Sequence, residues 1–306
     1  HIVHARGHLT AFIANFFLIF FKFNLIFDFR GFWVDERTDN ETLNKHKIFD
    51  NLFFFFFKYL EKKTLKNSNK IVVLTKNAKK EIVKLYKIDE DKIFVIPCCT
   101  DYVKFKTLDS NKIIQIKSKY LNNKNGYIIT YLGSLGGVYL LREMFEFFKE
   151  FNKINQNSKL LILTNDKKIA QNMLNDSYSY LSYTVCIKGI QRAQIPFFLS
   201  ISDFTLSFIK PTYARMASCP TKLSESFAVG TPVISNKNYG DVEEIFNNYN
   251  CGLLLNKFSQ SEYIRVSKLI TTNNNFIKKN IKNQTKEYFD IYVANKKYNN
   301  IYKNLL

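Results

Sequence analysis

The stretch Ser218-Cys219-Pro220-Thr221-Lys222-Leu223-Ser224-Glu225-Ser226-Phe227-Ala228-Val229-Gly230-Thr231-Pro232-Val233-Ile234 reads as a short helix with both ends marked, running into a strand. Ser218 or Cys219 stands where an N-cap belongs, and Pro220 suits the first turn because the N–H it lacks would be unpaired there. Gly230 suits the left-handed position that closes a helix. The helix N-terminus offers free backbone N–H groups and the positive end of the helix dipole, a setting for an anion such as phosphate. Lys222 and Glu225 lie three residues apart, on one face. A lysine at the phosphate and a carboxylate one turn deeper, accepting hydrogen bonds from two hydroxyls, would together grip a nucleotide diphosphate and its ribose. The same spacing also describes an ordinary surface ion pair.

Three further segments favour the first alternative. Tyr131-Leu132-Gly133-Ser134-Leu135-Gly136-Gly137 is a glycine-rich turn after a strand, able to bring backbone close to a phosphate or sugar, although it is not G-x-G-x-x-G. Tyr239-Gly240-Asp241-Val242-Glu243-Glu244 turns into another helix N-terminus, where Asp241 either meets a ligand or simply caps. Asp28-Phe29-Arg30-Gly31-Phe32-Trp33 closes an earlier strand with polar side chains. Open α/β sheets bind ligands beyond the carboxyl ends of their strands, and all four segments occupy such ends.

Helix-length and strand-length segments alternate along the chain, the signature of an α/β fold with mainly parallel sheets. Strands are expected at 2–5, 24–29, 70–75 and 92–97, with helices at 9–23, 42–67 and 76–86 between them. The pattern loosens after residue 100, and the turn-rich Asn122-Asn123-Lys124-Asn125-Gly126 marks a boundary. A second alternating series follows from 127 to 255, and 259–306 reads as basic helices. We therefore expect a partial first domain over 1–106, a second α/β domain over 107–260, and terminal helices over 261–306 that return to the first domain.

Composition limits the function classes. The 306 residues carry 45 Lys+Arg against 26 Asp+Glu, a net charge of +19, and 46% are hydrophobic. This is globular rather than disordered, and long enough for about two domains at roughly 100 to 200 residues each. The five cysteines, Cys98, Cys99, Cys186, Cys219 and Cys251, form no C-x-x-C pair or zinc spacing, which points to a reducing compartment and no structural metal. No apolar run reaches the roughly 18 residues of a membrane span.

The order strand, G-S-L-G, then P-x-K-x-x-E-x-x-A-x-G-x-P-V-I, G-D-x-x-E-I and C-G-L-L-L resembles the donor half of glycosyltransferase family 4, whose two Rossmann-like domains face each other across a cleft (the GT-B fold). I-V-H-A-R, D-F-R-G-F-W, and V-V-L-T followed by a helix and V-I-P resemble the acceptor half, so the likeness covers essentially the whole chain. It implies retaining transfer of a sugar from a nucleotide-diphosphate sugar to a glycan or lipid-linked acceptor, in cell-envelope polysaccharide synthesis, with no cofactor and no metal. Gly133, Ser134, Lys222, Glu225, Gly240 and Asp241 are the implied donor contacts. Glu225 matches the second glutamate of a Glu-x7-Glu motif that holds the ribose. The first would fall at position 217, where this chain has Ala217, which leaves recognition of the sugar ring open. The basic pair that often follows the first glycine of the second domain is also absent, so Lys222, and after it Arg142, would neutralise the diphosphate. The family's frequent histidine after the strand ending in Asp28-Phe29-Arg30 is missing as well. Arg30 or Asp28 then faces the transferred sugar, and His4 is the third catalytic candidate, or else a histidine satisfied by backbone. The resemblance also implies that about the first third of the usual chain is missing before His1, leaving the first domain incomplete.

Between residues 58 and 87 ten lysines accompany only Glu61 and Glu81. A solvated helix face and attraction to an anionic membrane surface both explain this. Nucleic acid is not an expected partner, because no binding motif accompanies the charge. The expected location is the cytoplasm, with peripheral attachment to the inner face of its membrane as an option. Two rivals remain: a nucleotide-sugar epimerase on the same fold, and a truncated, inactive donor-binding module.

Overall fold

The structure, a computed structural model, describes residues 1–44, 47–122, 125–272 and 276–306. Residues 45–46 of the expected second helix, 123–124 of the boundary turn and 273–275 of the terminal stretch lie outside the described residues.

The first half contains β1 (Ile2–Arg6), α1 (His8–Phe17), β2 (Asn24–Phe29), α2 (Trp33–Asp39), α3 (Ile48–Asn67), β3 (Lys70–Val73), α4 (Lys76–Tyr86) and β4 (Ile93–Val95). Its four strands form a parallel sheet in the order β1-β2-β3-β4. Because side chains alternate across a strand, Leu25, Phe27 and Phe29 enter the core shared with Ala11, Leu65 and Ile82, whereas Ile26 and Val72 point to the opposite face.

After α5 (Ser110–Tyr120), the second half runs β5 (Ile128–Leu132), α6 (Leu141–Ile154), β6 (Lys159–Leu163), α7 (Lys167–Ser177), β7 (Val185–Lys188), α8 (Ile195–Ile201), β8 (Phe204–Ser207), α9 (Thr221–Val229), β9 (Val233–Asn236), α10 (Val242–Tyr249) and β10 (Gly252–Leu255). These strands build a second parallel sheet, ordered β10-β9-β8-β5-β6-β7. Strands of this kind are covered on both faces and read as unbroken apolar runs; β5 is buried at every residue.

The chain closes with α11 (Gln260–Thr272), α12 (Lys278–Phe289) and α13 (Ile291–Lys303). Ile281 and Phe289 of α12 pack into the second domain, while Ala294 and Ile301 of α13 pack on Ile26 and Val72 of the first. The crossing occurs at Asp290, whose side chain accepts from the Tyr292 N–H (3.2 Å) and whose backbone bridges Thr100.

Several elements differ from their sequence-based limits. α1 ends at Phe17 rather than 23, and the expected 42–67 helix begins at Ile48, preceded by the separate α2. Neither Ser218 nor Cys219 caps α9. Pro220 is the last extended residue before it (φ −64°, ψ 130°), and a proline offers no side-chain acceptor. β9 starts after Pro232, which cannot donate to a ladder. Gly230 does close α9 in the left-handed region (φ 86°), and a Cβ there would run into the Lys278 carbonyl oxygen.

The helices on the odd face of the first sheet are pinned by one buried carboxylate. Glu61, fully buried on α3, meets His8 Nε2 of α1 at 2.9 Å and Lys58 Nζ at 2.7 Å, and accepts from the Tyr86 hydroxyl of α4. Burial alone would raise this carboxyl, but His8 and Lys58 outweigh it and hold it below the ordinary range. Its stabilising contribution is therefore present above the usual carboxylate pKa and is lost as pH falls. Glu61→Gln should lower unfolding stability at neutral pH by about 3 to 5 kcal/mol, as expected for a buried ion pair deprived of one partner. Urea unfolding checks this; the loss should shrink at acidic pH, where the wild-type carboxylate is itself protonated.

Candidate functional site

The N-terminus of α9 lies beyond the carboxyl ends of β5, β8 and β9, and its first side chains meet the turn that leaves β5. Gly133 in that turn has φ 131°, and a Cβ there would stand 3.3 Å from Lys222 Nζ, so the ammonium occupies the space the glycine leaves free. Lys222 Nζ donates to the Tyr131 hydroxyl (3.1 Å) and sits 4.3 Å from the Tyr131 ring centre and 3.8 Å from that of Tyr139. Tyr131 in turn donates to the Ser134 carbonyl, which ties the lysine to the turn. Burial pushes the Lys222 ammonium down to about 7, with Glu225 opposing. The faces of the two rings favour the charged form.

Gly133 and Ser134 form one wall of a cleft of about 450 Å³, with Thr164 and Asp166 beyond β6 and Arg192 on the far side. Asp166 shapes that wall by accepting from the Leu135 N–H (2.8 Å). Glu225, one turn into α9, is 5% exposed, and its Oε1 lies 3.3 Å from Arg192 Nη2. Burial raises the Glu225 carboxyl, while Arg192 and Lys222 pull it down. The site thus presents a cation at a glycine turn and, one helical turn on, a shielded carboxylate whose partner is a largely exposed arginine side chain (73% exposed).

The first-domain candidates form a second cluster. His4 Nδ1 pairs with the Tyr302 hydroxyl (2.7 Å), and His4 Nε2 lies 3.9 Å from Asp28 Oδ2. Burial lowers the His4 imidazole, with Asp28 opposing and Arg6 adding. His4, Arg6 and Asp28 line an open cleft of about 620 Å³ against Tyr298 and Tyr302 of α13. Arg30 links this cluster to α9: its Nη1 is 3.5 Å from Asp28 Oδ1 and its Nη2 donates to Cys98 Sγ (3.3 Å). Cys98 is lowered to about 6, first by a hydrogen bond from Cys219, with Arg30 and Thr221 adding to the effect.

Gly240 and Asp241 stand at the seam between the domains. Asp241 Oδ2 accepts from the Lys76 N–H (2.6 Å) and Oδ1 from the Asn77 N–H (3.0 Å), capping α4 of the first domain. The Gly240 carbonyl accepts from Asn77 Nδ2 (2.6 Å). Ala217, 2% exposed, packs into the first-domain core beside Ala214.

The structure therefore puts Gly133 and Ser134 on the wall of one cleft, with Lys222 against Gly133 and Glu225 against the cleft residue Arg192, and puts His4 and Asp28 on another, with Arg30 beside Asp28. Tyr131, Tyr139, Arg192 and Cys98 were not foreseen. Tyr131 lay inside the quoted glycine-rich motif, but an aromatic at a strand end reads first as core. Arg192 carries no motif signal.

Residues 112–287 match the family described as "Glycosyl transferases group 1", and residues 1–103 match "Glycosyltransferase Family 4". No curated protein matches the chain. Among solved structures, it is similar to HepE of Anabaena in complex with UDP-glucose (TM-score 0.76, 11% identity, covering 99% of this chain and 79% of that one). It is also similar to sucrose-phosphate synthase from Thermosynechococcus elongatus (0.73, 15%, 99% and 73%) and to WaaG, a glycosyltransferase involved in lipopolysaccharide biosynthesis (0.66, 16%, 94% and 80%). At these identities the likeness is one of fold, two parallel α/β domains in the GT-B arrangement, while the sequence match over more than half of the chain shows that the protein belongs to the group 1 glycosyl transferases.

Proposed function

We propose that this glycosyltransferase moves a sugar, with retention, from a nucleotide-diphosphate sugar to a glycan or lipid-linked acceptor in cell-envelope polysaccharide synthesis. The observation that carries the reading is the Lys222 ammonium held against the cleft-wall residue Gly133, with Glu225 one turn further along α9 and paired with Arg192 of the same cleft. The relatives add support: HepE is crystallised with UDP-glucose and WaaG acts in lipopolysaccharide biosynthesis.

In this reading the diphosphate lies along Gly133 and Ser134, with Lys222 supplying the charge that stabilises the departing phosphate. Arg192, across the cleft, adds to that charge, so the reaction as proposed is metal-independent. Glu225 accepts the ribose hydroxyls once Arg192 releases it. The acceptor hydroxyl then attacks the anomeric carbon from the face the leaving group vacates, the bond to the phosphate oxygen breaking and the hydroxyl's proton passing to that departing phosphate. Arg30, the first-domain candidate that reaches towards α9 through Cys98, faces the transferred sugar, with Asp28 and His4 behind it. Gly240 and Asp241 serve by holding the domains at the spacing the site needs. The protein acts in the cytoplasm. Buried Ala217 in place of a carboxylate favours the second reading, a module that binds donor without turnover; assay of sugar transfer to supplied acceptors separates the two.

Calorimetric titration with a nucleoside diphosphate tests the site. Glu225→Gln should weaken binding by about 1.5 to 3 kcal/mol, the range for hydrogen bonds to a charged group, and removal of the ribose hydroxyls should then cost the variant little more. Lys222→Ala should weaken the diphosphate far more than the uncharged nucleoside. If both variants bind as wild type does, the site assignment fails.

Lys222 also links binding to pH. Its ammonium, lowered to about 7 by burial, regains its proton when a diphosphate arrives. Binding at pH 8 should take up a proton, and affinity should fall as pH rises from 7 to 9. Titrations in two buffers of different ionisation enthalpy measure the uptake, which Lys222→Ala should abolish.

A further inference from the structure

We propose that the outer face formed by α1, the turn after it and the first two-thirds of α3 is a docking surface for an anionic lipid bilayer. More than half of the exposed large apolar side chains described for this protein fall in two short segments, 9–21 and 48–59. On α1 and its turn, Ile13, Phe16 and Phe20 are all more than half exposed; on α3, Phe49 is 84% exposed and Leu52 and Phe56 follow on the same stripe. The two helices pack together: Phe12 and Phe57 ring centres are 5.9 Å apart, and Asn67 Nδ2 donates to Asn15 Oδ1 (2.9 Å). An open groove of about 480 Å³ runs between them. Soluble monomers rarely leave a contiguous apolar face of this kind uncovered.

The charge around the face selects the occupant. Lys22 follows the aromatic turn, and Lys62, Lys63 and Lys66 extend the far end of α3, all exposed. The acidic residues of α3 do not offset them, since Glu61 is buried against Lys58 and Asp50 lies in the first turn, at the opposite end of the helix from these lysines. Apolar and aromatic residues in the middle with lysines at the rim are what an element lying in a membrane interface presents, the rings entering the acyl boundary and the ammonium groups reaching anionic headgroups. A second copy is the poorer fit, because each chain carries +19 and would bring the same lysine rim against itself. No helix among the described residues is long and apolar enough to cross a membrane, and the surface as drawn lies on the bilayer rather than through it. This also shifts the emphasis from the lysine-rich stretch 58–87 as a whole to the apolar face it borders.

The test uses the full chain without nucleotide, so its outcome is independent of the donor-site reading. Flotation with vesicles of phosphatidylcholine and phosphatidylglycerol should recover the protein, and vesicles of phosphatidylcholine alone should recover at least tenfold less. Raising salt should weaken the anionic binding. The double variant Phe16→Ser/Phe56→Ser should lose most of the binding with an unchanged melting temperature. Lys62→Glu/Lys66→Glu, at exposed positions that leave the apolar face intact, should lose the preference for anionic lipid and serves if the first variant misfolds. Equal recovery by neutral vesicles, retained anionic preference in the lysine variant, or concentration-dependent self-association without vesicle binding would each overturn the proposal.

Discussion

The carboxylate of Asp241 reaches across from the second domain to accept the first two backbone N–H groups of α4 in the first. Hydrogen bonds of this charge-assisted type contribute on the order of 1.5 to 3 kcal/mol each, and they fasten the first domain to the second. Thr75 adds a second tie, capping Ala78 while donating to the Met216 carbonyl (2.8 Å), and Arg215 meets Glu36 at 3.5 Å. Together these bonds hold the loop before α9 against the first sheet. As a result the start of α9 arrives beside Cys98, which already holds Arg30 from the end of β2. A site divided between two domains depends on such a seam, because a shift of an ångström between them would separate the groups that act on one ligand.

Within the second domain the physical tension lies at Lys222. Taking an ammonium out of water is costly, and the chain offsets that cost with a phenol oxygen and two ring faces instead of a carboxylate. The arrangement leaves the lysine short of negative charge while holding it in place, which is the condition for binding an anion strongly. Glu225 is in the complementary state: shielded, and joined to an arginine whose side chain is largely exposed and can leave. An anion for the lysine and a diol for the carboxylate satisfy both at once.

The parts of this account legible in the sequence are those that local rules decide. Gly230 announces the end of α9 because the left-handed position and the Lys278 backbone behind it admit no side chain. The strands of both sheets announce themselves because burial on two faces makes them mainly apolar runs, the few polar residues such as Asp28, Ser207 and Asn236 standing towards their carboxyl ends. The two-domain alternation likewise survives into the observed sheets. What sequence could not convey is how distant residues pair. The spacing of Lys222 and Glu225 left a mutual ion pair open beside the shared grip on a ligand, and it gave no sign that one turns to Tyr131 and Tyr139 and the other to Arg192. Asp241 looked like a ligand contact or a cap for its own helix, and it caps a helix 165 residues earlier in the chain. Even the N-cap of α9 was misplaced, since the two residues before Pro220 face the seam instead of the helix end.

The central claim is that the diphosphate of a nucleotide sugar binds between the turn after β5 and the start of α9. A crystal structure of the protein with a nucleoside diphosphate measures this most directly. The account predicts phosphate density within hydrogen-bond reach of Lys222 Nζ and the Gly133–Ser134 backbone, the ribose on Glu225, and Arg192 swung off that carboxylate. Phosphate density in the cleft of His4 and Asp28, with the Arg192–Glu225 pair intact, would contradict it.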